Sequence, residues 1–178
     1  MKHLFLVILI FISFSAICQT DQLLTYKNSI DSFSFQYPAQ WDSTTFSKLK
    51  LQFKVDFGAF IKSGFNDNKT GGYFTYKKSK SYSENLAFFA RESEAALKEV
   101  YPDAIIIESK QKMSKNNITY YSLKTQINQF GSIRITNEIY ILKNNKVYTF
   151  SFTSPEKGFE KLNTYFESII DSFKFLTE

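Results

Sequence analysis

The chain has 178 residues, a formal net charge of +5 at pH 7 and an aromatic content of 18%, supplied mostly by 20 Phe and 11 Tyr. Its one histidine, His3, and its one cysteine, Cys18, both precede Gln19, so a chain beginning at Gln19 excludes Ser-His-Asp and Cys-His catalysis, His/Cys zinc centres and disulfides. Among 22 basic residues only Arg91 and Arg134 are arginines; a lysine-rich surface lacks the planar fork used for phosphate and base readout, which argues against nucleic acid.

Met1-Lys2-His3 opens the chain, nine apolar residues run from 4 to 12, and small residues including Ser15 and Ala16 follow. A basic start, a short apolar run and a small-residue exit form a secretory signal peptide, and the run is shorter than the ~20 residues a membrane span needs. With Ala16 at −3 and Cys18 at −1, cleavage after Cys18 leaves residues 19–178 as a single domain, exported to the periplasm or the outside of the cell. The alternative is an envelope lipoprotein anchored through Cys18, although a bulky Ile17 stands where such a signal wants a small residue.

Next comes a hairpin. Leu24-Thr25-Tyr26-Lys27 and Phe33-Ser34-Phe35-Gln36-Tyr37 flank a turn at 28–32, and the second arm alternates apolar and polar, the period of a half-buried strand. Residues 51–57 alternate most cleanly and predict a further strand. Residues 66–72 (NDNKTGG) form a loop, and Tyr73-Phe74-Thr75-Tyr76 a strand running into Lys77-Lys78-Ser79-Lys80. Ser83 is placed to cap a helix over 84–100, with Leu86, Phe89, Ala90, Ser93, Leu97 and Val100 on one face; Pro102 ends it.

Four strands follow at about 104–113, 118–127, 132–142 and 147–153. Short links make them antiparallel neighbours, and Asn144-Asn145 suits a two-residue hairpin turn. Ser154 and Pro155 are placed to begin a last helix, whose apolar face is Phe159, Leu162, Phe166, Ile169 and Phe173. An antiparallel meander with two amphipathic helices gives an α+β fold, an α-β-α sandwich.

The segment Phe33-Ser34-Phe35-Gln36-Tyr37-Pro38-Ala39-Gln40-Trp41, the strand Tyr148-Thr149-Phe150-Ser151-Phe152 and the close Ile169-Ile170-Asp171-Ser172-Phe173 resemble the PsbP-like family, whose founding members are extrinsic subunits of photosystem II. The resemblance implies an α-β-α sandwich around an antiparallel sheet and an exported, non-enzymatic accessory or binding protein. It carries over no photosystem site.

The short motifs weigh little. Ser47-x-x-Lys50, Lys69-Thr70-Gly71 and Ser83-Glu84-Asn85 match penicillin-binding fragments, but in the wrong order and crowded together. Counting Asn66 as the first position of a calcium loop puts Lys77 where a bidentate Glu is required. Trp41 is read as packed under a loop rather than as a ligand platform, and the pairs Glu92/Glu94 and Glu156/Glu160 as helix-surface charges. The expectation is therefore no catalytic, metal or cofactor site and no cofactor. The basic segment Lys77, Lys78 and Lys80 is the candidate surface for an acidic envelope partner, its plainer reading being a solvated strand-to-helix connection. A monomer without a membrane span is expected, and the rival reading is a hydrolase using carboxylates alone in a cleft.

Overall fold

The computed structural model describes residues 22–43, 55–61, 71–129 and 131–176. The leader with Cys18, the Ser47 to Lys50 motif and most of the 66–72 loop lie outside these residues. Nine strands and two helices are described: β1 (Leu23–Asn28), β2 (Phe33–Pro38), β3 (Phe57–Ile61), β4 (Gly72–Lys80), α1 (Leu86–Val100), β5 (Ile105–Met113), β6 (Thr119–Gln129), β7 (Ser132–Lys143), β8 (Lys146–Pro155), α2 (Phe159–Ser172) and β9 (Lys174–Phe175). β3 to β8 form one six-stranded sheet in the order β3-β4-β8-β7-β6-β5, and β1-β2-β9 a separate three-stranded sheet. Every pairing is antiparallel, as the predicted α+β sandwich requires.

β8 shows how sequence alternation builds the layers. Tyr148, Phe150 and Phe152 face one side of the sheet, where they join Phe33, Phe35, Phe74, Tyr76, Phe166 and Phe173 in the main core. Thr149, Ser151 and Thr153 face the other side. α2 and the small sheet together cover the aromatic side, while α1 packs over β5, β6 and β7 on the opposite side. There Phe89 and Ala90 meet Leu123, Tyr140 and Val147 in a second, smaller cluster. Asn144 and Asn145 turn β7 into β8 with φ of 52° and 56°, the left-handed pair of a type I′ turn that matches strand twist.

Three expectations need correction. The cap of α1 is Asn85, whose side chain accepts from the Ala87 N–H at 2.9 Å; Ser83 instead accepts from the Asn85 N–H at 3.1 Å, so the helix starts at Leu86. Ser154 and Pro155 do not open α2. The length of β7 supplies ladder partners as far as Ile135↔Ser154 and Arg134↔Pro155, keeping both residues in β8, and Gly158 with φ of 91° precedes α2. Of the strand expected over 51–57, residues 51–54 lie outside the described residues, while Val55 and Asp56 precede the strand and only Phe57 opens β3. Asp56 closes its end: its N–H donates to the Tyr76 carbonyl, and its Oδ2 accepts from the Lys78 N–H at 2.6 Å.

Two carboxylates each sit between two lysines. Asp31, in the β1–β2 turn, has a side chain only 1% exposed and meets Lys78 at 2.6 Å and Lys146 at 2.7 Å. Burial pushes its carboxyl up, but the hydrogen bonds from Lys146 and Lys78 outweigh that and hold it below its usual value. Glu108 on β5 behaves alike: burial opposes its charge, while Lys110 at 2.8 Å and Lys112 bring it down to about 2. A depressed carboxyl adds stability above its unfolded pKa and loses it as pH falls through the folded one. Urea midpoints should therefore hold from neutral pH down to the ordinary carboxyl range and drop as pH approaches about 2. Glu108→Gln should flatten part of that fall; an unchanged acid profile in this variant would contradict the assignment.

Candidate ligand groove beside helix α1

The register of the large sheet lays out a patterned surface on its α1 side. One row across β4, β8, β7 and β6 is Tyr73, Thr153, Thr136 and Thr125. The next is Thr75, Ser151, Glu138 and Leu123, and the third is Lys77, Thr149, Tyr140 and Tyr121. Since side chains directly opposite each other share a face, these rows place hydroxyls in contiguous array. The Thr136 and Thr153 hydroxyls lie 2.9 Å apart.

Two adjoining hollows of about 370 Å³ each open on this surface. The first lies under α1, with Ser93, Leu97 and Val100 as its wall; the second lies over β4 and β8, with Lys77 at its margin. Tyr73, Glu138 and Ser151 border both, so the two form one groove.

Glu138 is its electrostatic centre. Its Oε2 accepts from the Ser93 hydroxyl at 2.6 Å and from the Tyr140 hydroxyl at 2.6 Å. Burial, reinforced by the Glu138 charge, pushes the Tyr140 phenol far up, so Tyr140 stays a donor and keeps the carboxylate oriented. Among the described residues lining the groove Glu138 is the one carboxylate, whereas glycoside hydrolysis uses two. No group of three or more His, Cys, Asp or Glu that could hold a metal occurs among the described residues. The arrangement offers hydroxyl donors and acceptors, one fixed negative charge and one lysine: the means to hold a polar ligand.

The basic segment is divided by the strand that carries it. Lys77, Lys78 and Lys80 belong to β4 itself, not to a connection after it. Lys77 borders the groove, Lys78 is bound to Asp31 on the opposite face, and Lys80 is exposed opposite Lys146. Trp41 is 4% exposed and lies in the main core, its ring 5.8 Å from that of Phe74. Sequence reading missed Glu138, Ser93 and the hydroxyl rows. The signal was present in the alternation of Thr149, Ser151 and Thr153 with Tyr148, Phe150 and Phe152, and of Thr136, Glu138 and Tyr140 with Ile135, Asn137 and Ile139.

A family model described as PsbP matches residues 75–175. Among solved structures, the chain is similar to the PsbP of the cyanobacterium Synechocystis (CyanoP), with a TM-score of 0.61, 15% identity and coverage of 90% of this chain and 95% of that one. It is also similar to the Ran-binding protein Mog1p of Saccharomyces cerevisiae, with a TM-score of 0.61, 7% identity and coverage of 88% and 97%. A third is LpqN of Mycobacterium tuberculosis, which is involved in cell envelope biogenesis; its TM-score is 0.57 at 11% identity, with coverage of 88% and 91%. At these identities the likeness concerns the fold. No curated protein matches the chain in sequence.

Proposed function

The chain belongs to the PsbP family, and from that premise we propose that it is an exported, single-domain, non-enzymatic accessory or binding protein of the cell envelope. The observation that carries this reading is the groove beside α1. Its hydroxyls and its single carboxylate, Glu138, held in place by the Ser93 and Tyr140 hydroxyls, suit recognition of a polar group through hydrogen bonds. The family and the named roles of Mog1p, which binds Ran, and of LpqN, involved in envelope biogenesis, support the same class. Lys77, at the groove margin, is the member of the basic segment placed to meet an acidic group of the partner; Lys78 and Lys80 lie on the other face. Export rests on the leader, with a soluble product beginning at Gln19.

The test is capture from envelope extract of a bacterium carrying the gene, with the tagged protein and its Ser151→Tyr variant, which fills the groove while keeping a good strand former in β8. The parent should retain a defined partner or ligand that the folded variant loses, and its intact mass should start at Gln19. The same material captured by both forms would overturn the groove assignment. A lipid-bearing Cys18 would overturn the soluble form, and a hydrolytic activity abolished by Glu138→Gln would overturn the non-enzymatic one.

A further inference from the structure

At one end of the sandwich the sheet register lines up like charges. Lys80 of β4 stands directly opposite Lys146 of β8, and Lys146 directly opposite Lys143 of β7. Like charges in such pairs destabilise a sheet. Lys78 lies two residues before Lys80 on the same face of β4, while exposed Lys27 and Lys174 flank Ser34 in the small sheet. The carboxylates nearby answer this charge in part. Asp31 is buried and committed to Lys78 and Lys146, Asp56 accepts from the Lys78 N–H, and Glu84 is exposed after Tyr82. Lys143 rests its ammonium 4.0 Å above the Phe175 ring.

Two apolar side chains project from the same end. Ile30, beside Asp31 in the β1–β2 turn, is 88% exposed, and Tyr82 is 71% exposed. The Ser81 N–H donates to the Asn145 carbonyl at 2.8 Å, which fixes the Tyr82 segment against the β7–β8 turn. The Tyr82 ring packs edge-on to Phe88 and Phe89 of α1, at 5.5 and 5.4 Å. The lysine row thus runs between one apolar prong on the small-sheet layer and another on the α1 layer.

We propose that this end is a docking surface for an anionic phospholipid bilayer. The choice of lipid over an acidic protein follows from shape and chemistry. The tip is built of turns, and its exposed apolar groups stand out as prongs, which a fluid interface can accept and a flat polar surface cannot. Tyr is at home at the headgroup level. Clustered lysines gain from a diffuse negative surface without needing the paired geometry that arginine serves. This reading is independent of the groove, which lies on the other face of the strands.

Co-sedimentation with vesicles tests it, comparing phosphatidylcholine alone with phosphatidylcholine containing one third phosphatidylglycerol. The protein should bind the anionic vesicles, leave the neutral ones, and release as salt rises, since screening weakens surface charge attraction. Lys80→Gln should weaken binding roughly fivefold, the equivalent of about 1 kcal/mol per lysine near the surface. Ile30→Ser should weaken it without changing the salt dependence. Lys161→Gln, on exposed α2 near the opposite end, should bind like the parent. Equal binding to both vesicle types, or parental binding by folded Lys80→Gln and Ile30→Ser, would overturn the proposal. So would full competition by glycerol phosphate, which would mark a phosphate site. Tight binding of polyglutamate unaffected by Ile30→Ser would assign the tip to an acidic polypeptide instead.

Discussion

Replacing Phe166 by alanine should cost about 3–5 kcal/mol of folding stability. Phe166 is fully buried on the inner face of α2, its ring 6.0 Å from Phe74 and 5.7 Å from Phe152. The truncation removes a whole ring from the layer between α2 and the large sheet, and the loss of burial adds to the cavity left behind. Lys161, exposed on the same helix, should change stability by less than about 0.5 kcal/mol on mutation to alanine, as surface sites do. Urea denaturation followed by circular dichroism compares the two. Equal, small losses would mean that α2 presents another face to the sheet.

Trp41→Ala should fall in the same range, about 3–5 kcal/mol, and should do so without touching ligand binding in the groove. The indole is 4% exposed and packs on Phe74, on the aromatic side of the sheet, away from Glu138. As the chain holds a single Trp, its native fluorescence should be blue-shifted and should move to longer wavelength on unfolding. A solvent-like emission from the folded protein, or a binding loss with no stability loss, would instead make Trp41 a surface platform.

Local chemistry made much of the fold readable. Phe159, Phe166 and Ile169 repeat with helical period and are buried. Asn144-Asn145 carries its turn preference in two adjacent residues, and β5 to β8 are joined by links too short for anything but antiparallel neighbours. What the sequence left open was decided by distant partners. Ser154 and Pro155 look like a helix start until β7 extends far enough to hold them in β8. Ser83 and Asn85 are both competent caps, and the choice between them rests on where the chain leaves β4. The first hairpin reads as two strands, yet nothing local says that it avoids the main sheet and joins β9.

The groove was harder to read for the same reason. Glu138 gains its character from Ser93 and Tyr140, and Ser93 reaches it only because α1 lies over β7. The Thr and Ser of β8 were visible as the polar half of an alternating strand, but polar halves usually face water. Only the register across β4, β8, β7 and β6 turns them into a continuous lining. Lys77, Lys78 and Lys80 make the converse case: a run adjacent in sequence is sent to opposite faces by a period of two.

The pairing of β2 with β9 has a consequence for how the chain reaches its native state. The Gln36 N–H donates to the Ser172 hydroxyl across 136 residues of sequence, and Phe33 lies opposite Phe175. The chain must therefore be made as far as residue 175 before the aromatic arm finds these neighbours, and closing so long a loop comes late and slowly. Until then Phe33, Phe35 and Tyr37 are an unsatisfied sticky stretch. A nascent chain stalled short of residue 173 would keep that stretch open to any passing hydrophobic surface, a holding chaperone included. Arrival of residues 173–175 would act as the trigger for folding.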